Sequence, residues 1–328
     1  MAKTVGIIGA GISGLTLGVQ LQARGFQVEL FDKGRSVGGR ASSRRTDWGY
    51  LDHGAQYFTI RDPEFRAFLE THLPANGLLP WQVEFGRFES NQMHSENLDQ
   101  VRYVPRQAMS TLCKQLATNL LVRTQVKICR LQPQTHWLLE DENNNQYGPF
   151  DQIVVTAPPA QTAELIGPHS HWAIEMGQIQ MWPCWSLMLV TDHLVPVPFG
   201  GVKCNHPVLG WIGLNHTKPE RGILSSLIVQ ANWHWSAENL EQDREIVGDI
   251  LQKSAEQLLG MKISNSTYRS VHLWRYAAPV TVASQPYFLD SVKRLAVCGD
   301  WCVAGKVEGA FLSANALAKQ MWELESKG

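Results

Sequence analysis

No run of ~20 apolar residues occurs in this chain of 328 residues, so no membrane-spanning helix is expected. Neither sign of charge is in excess: 29 Lys+Arg stand against 30 Asp+Glu, for a net charge of −1. Near neutrality makes a poor general ligand for nucleic acid or an anionic membrane, and neither is expected as a partner. Cysteine is sparse and unpatterned. The six are Cys113, Cys129, Cys184, Cys204, Cys298 and Cys302, with no CxxC pair. They read as free thiols in a reducing cytosol, not as disulfides or zinc ligands. His169-Ser170-His171 has no second ligand cluster and reads as a surface loop, so no metal is expected. No internal repeat or low-complexity tract is evident. The N-terminal run MAKTVGIIGAGISGLTLGVQL imitates a signal peptide, but no small-residue cleavage site follows it. The expected location is cytoplasmic.

What is present points to a large globular protein. Charged residues are 18% and hydrophobic residues 44%, which excludes a mostly disordered chain. At ~150 residues per domain the length predicts two domains.

Thr4–Ile8 is a β-branched run that reads as a strand. Gly9-Ala10-Gly11-Ile12-Ser13-Gly14 follows it, and a helical pattern follows that. This is the strand–GxGxxG–helix unit of dinucleotide binding. Gly9 permits the tight turn. Gly11 lets backbone approach a pyrophosphate, and Gly14 lets the helix pack on the strand. The free N–H groups of Ile12 and Ser13 and the helix dipole favour the phosphates. Gln27–Phe31 reads as the next strand and ends at Asp32, spaced to accept ribose hydroxyls.

Two further segments suit a flavin better than a simple nicotinamide cofactor. Lys33 begins a loop that ends in Gly38-Gly39-Arg40, thin backbone with a cation for phosphate. Leu51–Phe58, which taken alone reads equally as a buried strand, carries Gly54 and Ala55, which keep the chain thin where a planar ring could lie. Gln56, whose amide both donates and accepts, lies in it with Tyr57 and Phe58. Near the C-terminus, Leu295–Cys298 reads as a buried parallel strand with Asp300 just beyond its end. A long helix then starts near Val307, Glu308 and Ala310. Its N-terminus could stabilise the negative charge of a reduced flavin.

GxGxxG, the terminal acid and GGR resemble the amine-oxidase-like FAD flavoproteins. A closer resemblance is to bacterial renalase-like flavoproteins. It is carried by residues 51–65 (LDHGAQYFTIRDPEF), 211–222 (WIGLNHTKPERG), 229–240 (VQANWHWSAENL), 271–279 (VHLWRYAAP) and 298–314 (CGDWCVAGKVEGAFLSA). The resemblance implies an α/β fold of the p-hydroxybenzoate-hydroxylase type. A Rossmann-type FAD domain would be interleaved with a mostly antiparallel substrate domain. It implies non-covalent FAD, with the 51–58 run beside the flavin, Asp300 on ribityl hydroxyls or phosphate, and Val126 near the adenine. It also implies oxidation of 2- or 6-dihydro isomers of NAD(P) to β-NAD(P)+, with O2 reduced to hydrogen peroxide.

The expected FAD domain is discontinuous, at 1–62, 100–160 and 285–328. The substrate domain then takes 63–99 and 161–284. Asp62 and Pro63 start a helix to about Leu73. Strands are expected at Trp81–Phe85, Val101–Val104, Val122–Leu131, Trp137–Glu140, Gln152–Thr156, Trp185–Val190, Leu209–Leu214, Ile223–Gln230 and Val271–Tyr276. Helices are expected at Arg106–Leu116 and Glu238–Leu259. Seven of the twelve Trp fall in 160–285, which fits a sheet that roofs a flat ligand.

Trp274 and Tyr276 share one face of a strand and are candidates to orient the substrate ring. His272 has the same parity, although a satisfied core position is the favoured reading for it. Asn215, His234 and Arg275 are candidates to reach a carboxamide or phosphate. A dihydropyridine loses hydride without prior proton removal, and no base stands out in the sequence. Two alternatives stay open: oxidation of a primary or secondary amine, and a flavin-binding protein without turnover. Oligomeric state is open.

Overall fold

The computed structural model describes residues 2–327 apart from 194, 223 and 264–265. Its first layer is a six-stranded sheet. The order is Phe288–Asp290, Leu295–Val297, Gln152–Val155, Thr4–Ile8, Gln27–Asp32 and Leu121–Thr124. All neighbours are parallel except the first pair. The parallel strands are short and apolar because helices cover the sheet. Helices Ile12–Gln22 and Val307–Ser326 pack on each other, although they come from opposite ends of the chain. A three-stranded meander, Ile128–Pro133, Trp137–Asp141 and Gln146–Phe150, lies beside this sheet and shares a core with it.

The second layer is a seven-stranded sheet, ordered Ser266–Pro279, Met181–Thr191, Ser225–Ala231, Leu209–Leu214, Gly201–Cys204, Phe85–Glu89 and Gln92–Ser95. One pairing in it is parallel, between Gly201–Cys204 and Phe85–Glu89. One face takes helix Arg244–Leu259 over Leu187, Leu189, Leu227, Val229 and Val271. The opposite face meets residues 48–58, where Trp211 packs on Tyr57 and Met188 and Ile228 pack with Leu51. The fold is therefore mixed α/β, with a Rossmann-like sheet and a largely antiparallel one.

Several expected elements end differently. Trp81–Phe85 is not a strand; Trp81 is buried and donates its indole N–H to the Thr217 hydroxyl, and the strand starts at Phe85. Val122–Leu131 is two strands in two sheets. Gln125, at φ 59°, turns the chain and donates to the Gly34 carbonyl. Glu238–Leu259 is two helices, Trp233–Glu238 and Arg244–Leu259. The second restarts where the Asp243 carboxylate accepts the N–H groups of Glu245 and Ile246. The helix expected from Arg106 begins at Met109, and the strand expected at Val101 begins at Tyr103. Ile223 lies outside the described residues, and the strand there runs Ser225–Ala231. The Asp62 cap is as expected, with its carboxylate accepting from Phe65 N at 3.0 Å.

Candidate active site

The glycine loop takes the form its sequence predicts. Gly9 has φ 108°. A methyl group at Gly14 would sit 1.9 Å from the Gly9 carbonyl oxygen, so only glycine lets this helix approach. A methyl at Gly11 would meet nothing within 4 Å, which leaves a slot open at the helix start. No side chain caps that helix, and its first N–H groups are available to an anion. Ile12 and Ser13 are buried, and the Ser13 hydroxyl donates to the Ala310 carbonyl at 3.0 Å. That bond joins the first motif to the last across 297 residues.

Asp32 ends its strand and organises two loops. Its carboxylate accepts from Ala10 N and Gly34 N, each at 2.7 Å. Its carbonyl accepts from Val126 N at 3.0 Å, which brings Val126 to the same corner. Lys33 is exposed and donates to the Gln161 amide oxygen; partial desolvation lowers its pKa. Gly38 N donates to the Ala10 carbonyl, and Gly39 lies against Gly11. Arg40 forks onto Asp300, with one bond at 2.8 Å, and also reaches the Ala277 carbonyl at 3.2 Å. This is a bidentate pair. The expectation gave Arg40 and Asp300 separate ligand contacts, whereas here they hold each other.

Helix Val307–Ser326 also begins without a side-chain cap. Its Val307 is half-buried at the start. Glu308 departs from expectation: its carboxylate accepts from Arg61 N at 2.6 Å and Asp62 N at 2.8 Å. It ties down the 61–62 turn instead of facing the cofactor slot.

The 51–58 run is built largely on its own side chains. Gln56 is buried; its NH2 bonds the Asp52 and Gly54 carbonyls, and its oxygen accepts from Lys218 Nζ at 3.2 Å. Tyr57 packs among Trp81, Phe85 and Trp211, under the Arg102 guanidinium. Phe58 packs on Phe65. The side chains of Gln56, Tyr57 and Phe58 thus fill the interior, which leaves backbone as the part of this run free for a flat ligand.

Beneath it lies a cluster the sequence did not signal. Asp52, Lys218 and Arg221 are all buried, with side chains 0% exposed in both ion pairs. Asp52 Oδ2 accepts from Arg221 Nε at 2.8 Å and from Lys218 Nζ at 3.2 Å. Its other oxygen accepts from Ser43 at 2.7 Å and Met109 N at 2.9 Å. Burial alone would raise the Asp52 pKa, but Arg221 and Lys218 hold it well below the usual carboxylate range. Burial pushes the Lys218 ammonium down to about 8 against the pull of Asp52.

A second group joins the expected Trp274 and His272 to His53, the member that sequence reasoning missed. Its ring stacks on Trp274 (5.1 Å between centroids, 28°) and meets His272 edge-on at 4.9 Å. Trp274 donates its indole N–H to the His53 carbonyl at 2.9 Å. His272 lies 4.4 Å from the Trp274 ring and is half-buried, so it is not a closed core residue. Burial pushes His53 and His272 down to about 4, helped for His53 by His272 and for both by Arg44. Both imidazoles are neutral at pH 7. Tyr276 is half-buried and lies just past Trp274, where the register with strand Met181–Thr191 shifts, so its shared face with Trp274 does not follow from alternation alone.

The three expected substrate contacts do not gather here. Asn215 is fully buried, its oxygen accepting from Asp52 N and its NH2 donating to the Tyr50 carbonyl. It is a brace for the 50–52 segment. Arg275 has the opposite strand parity and pairs with Glu241 in solvent at 2.8 Å. His234 is exposed on its helix and packs against Trp182 at 4.5 Å. No cluster of metal-ligating side chains occurs among the described residues. All six cysteines are free, and burial pushes Cys113, Cys184, Cys204 and Cys302 up to about 12, which keeps them protonated.

Sequence comparison decides the family. Residues 7–71 match the NAD(P)-binding Rossmann-like domain, and residues 83–321 match the flavin containing amine oxidoreductase family. The chain belongs to the flavin-containing amine oxidoreductase family. Its cofactor is FAD, and its class is FAD-dependent oxidoreductase. Two curated relatives match over short stretches only. Protoporphyrinogen oxidase 2 of Arabidopsis thaliana is 35% identical over 68 residues, or 21% of this chain and 13% of that protein. 4,4'-Diapophytoene desaturase of Staphylococcus haemolyticus is 34% identical over 67 residues, 20% of this chain and 13% of that one. The chain therefore spans about an eighth of the length of these relatives.

Solved structures resemble the whole fold. A structure assigned as a protoporphyrinogen oxidase from Exiguobacterium sp. 255-15 has a TM-score of 0.80 at 10% identity, covering 98% of this chain and 99% of that one. A redesigned putrescine oxidase has 0.76 at 12% identity, covering 98% of each. At these identities they share the fold.

The residues present fit FAD. The open slot at Gly11, the two uncapped helix starts joined by the Ser13–Ala310 bond, the Asp32 strand end bonded to Ala10 and the Arg40–Asp300 pair are the parts of a candidate cradle. Among the described residues no helix is long and apolar enough to cross a membrane.

Proposed function

We propose that this protein is an oxidase for isomeric dihydro-NAD(P), the 2- or 6-dihydro forms, returning them to β-NAD(P)+. The observation that carries the reading is the His53–His272–Trp274 wall, aromatic and uncharged at pH 7, with the His53 and Trp274 rings stacked and His272 set edge-on to them. Such a wall suits a planar dihydropyridine, which gives up hydride without a base. Cations outnumber acids among its charged neighbours: Arg44 acts on both imidazoles and Arg244 on His272, against Asp52 on His53. That field favours a substrate carrying phosphate and opposes an ammonium ion. Asp52, the buried acid nearest in sequence, is committed to Lys218 and Arg221.

Bound FAD would supply the hydride acceptor at N5 and pass the electrons to O2, giving hydrogen peroxide. The chain supplies position. Gly11, Gly14 and the N–H groups of Ile12 and Ser13 would hold the pyrophosphate, Asp32 the ribose, and the Val126 backbone the adenine. Gly39, Arg40, Asp300, Val307 and Ala310 would border the flavin side. Trp274, fixed by its bond to His53, would set the nicotinamide plane with Tyr276 and His272, and the wall would exclude water.

The same reading divides the chain as a p-hydroxybenzoate-hydroxylase-type fold, with the FAD unit at 1–62, 100–160 and 285–328. The strand content of the two sheets supports this division. Helix Pro63–His72, however, packs Phe65 and Phe68 on Phe311 and goes with the FAD unit.

Amine oxidation is the second reading, favoured by the family's description. Anaerobic mixing separates the two. Rapid bleaching of the flavin band by 2- or 6-dihydro-NAD(P), with NAD(P)+ formed, is expected. Bleaching by primary or secondary amines alone would replace this proposal with the second reading, and bleaching by neither would indicate a binding protein.

A further inference from the structure

Two cations and one carboxylate lie buried together where Asp52 meets Lys218 and Arg221. Asp52 balances one positive charge and leaves one uncompensated. Burying an unbalanced charge costs several kcal/mol, and folding alone gives no reason for the excess. Structural cohesion would be served by the Asp52–Arg221 pair, since Arg221 also bonds the Pro105 and Pro219 carbonyls. One Arg221 terminal nitrogen, Nη2, has no partner. Lys218 is the extra charge: its ammonium contacts Asp52, Gln56 and the face of Trp81.

The cluster is wired to the run that borders the cofactor cradle. The Gln56 amide links Lys218 to the Asp52 and Gly54 carbonyls. Ala55 N donates to the Arg40 carbonyl, and Arg40 holds Asp300. Lys218 is therefore joined through Gln56 and the 54–55 backbone to the Arg40–Asp300 pair. The side chains of the cluster are fully buried, so a charge there acts with little screening. Reduction of FAD adds negative charge at that border.

We propose that Lys218 is a positioning residue for electron affinity: the net positive charge of the Asp52–Lys218–Arg221 cluster favours reduced over oxidised FAD. This rests on the 51–58 run lying beside the flavin, but not on which substrate is oxidised. Lys218→Met leaves a balanced Asp52–Arg221 pair, so the fold keeps its buried ion pair. Lys218→Gln is the polar counterpart and gives a second chance of a folded protein. Lys218→Arg restores the charge.

The measurement is the two-electron midpoint potential of the FAD-loaded protein at pH 7, with the affinity for sulfite, which adds to oxidised flavin and leaves it anionic. We expect the reduction equilibrium of Lys218→Met or Lys218→Gln to weaken at least tenfold, or ~30 mV. Sulfite binding should weaken in parallel, and Lys218→Arg should stay within threefold of the parent. A variant that retains FAD with an unchanged potential overturns the proposal. So does an equal shift in Lys218→Arg, which would trace the effect to shape instead of charge. If the parent fails to oxidise dihydro-NAD(P) but Lys218→Met still shifts the potential, the substrate reading falls and this one stands.

Discussion

The cradle and the wall are built by different rules. The cradle uses backbone: a turn at Gly9, a slot at Gly11, a close approach at Gly14 and two uncapped helix starts. The wall and the charge cluster use side chains from distant loops. Asp52 meets Arg221 across 169 residues, and Trp274 meets the His53 carbonyl across 221. Backbone geometry is written in short motifs. Side-chain assemblies exist only after two sheets have packed on one another.

Substitutions can break this contrast, and the largest effect belongs to the cradle. Gly14→Ala places a methyl 1.9 Å from the Gly9 carbonyl oxygen, where only backbone can move. Overpacking of this kind costs roughly 3 kcal/mol or more, and the protein should lose FAD and much of its thermal stability. Gly11→Ala meets no atom and should melt like the parent without cofactor while binding FAD more weakly. Thermal unfolding and FAD titration of the apoproteins check both. Equal melting losses would show that the slot is not open.

The cluster comes next. Asp52→Ala leaves Lys218 and Arg221 buried without a counter-charge, a loss of about 3–5 kcal/mol by urea unfolding. A loss below ~1 kcal/mol would mean that water reaches these groups.

The wall gives a pH signature. His53 is held at about 4 in the folded protein, against ~6.5 in an unfolded chain. Between these values the unfolded chain takes a proton that the folded protein refuses. Stability is therefore full above pH ~6.5 and falls as the pH drops toward 4, by about 3 kcal/mol from His53. His272 adds a loss of the same sign. Urea unfolding from pH 7 to 4.5 reads it, and replacing both imidazoles by Gln should flatten that limb.

Legibility followed the same division. Gly9 and Gly14 make the turn and the close approach that their spacing predicts, because a phosphate loop is set by residues within one turn of each other, whereas Asp32 ends its strand as expected but spends its carboxylate on Ala10 N and Gly34 N. Arg40 and Asp300 were singled out separately, but their mutual bidentate pair depends on a contact between segments 260 residues apart. Glu308 and Asn215 look like ligand groups in sequence, yet both are occupied by backbone N–H groups or carbonyls. Their partners lie on other segments, where no local pattern reports them. The parity that grouped Trp274 with His272 was readable because a strand alternates its faces. The same parity sets Arg275 on the opposite face, beside Glu241.

Arg275→Ala carries the smallest effect. Its pair with Glu241 is exposed, so stability should change by less than ~1 kcal/mol and flavin reduction by substrate should be unaffected. A slowed reduction would return Arg275 to the site.

The central claim is that hydride leaves the substrate in front of a neutral wall, with no base. Stopped-flow reduction of the FAD-loaded protein by 2- or 6-dihydro-NAD(P) between pH 5.5 and 6.5 tests it most directly. His53 and His272 at about 4 and Lys218 at about 8 lie outside that window. The rate constant should be fast and independent of pH across it. A rate that climbs with pH, as removal of a proton from the substrate demands, would contradict the account.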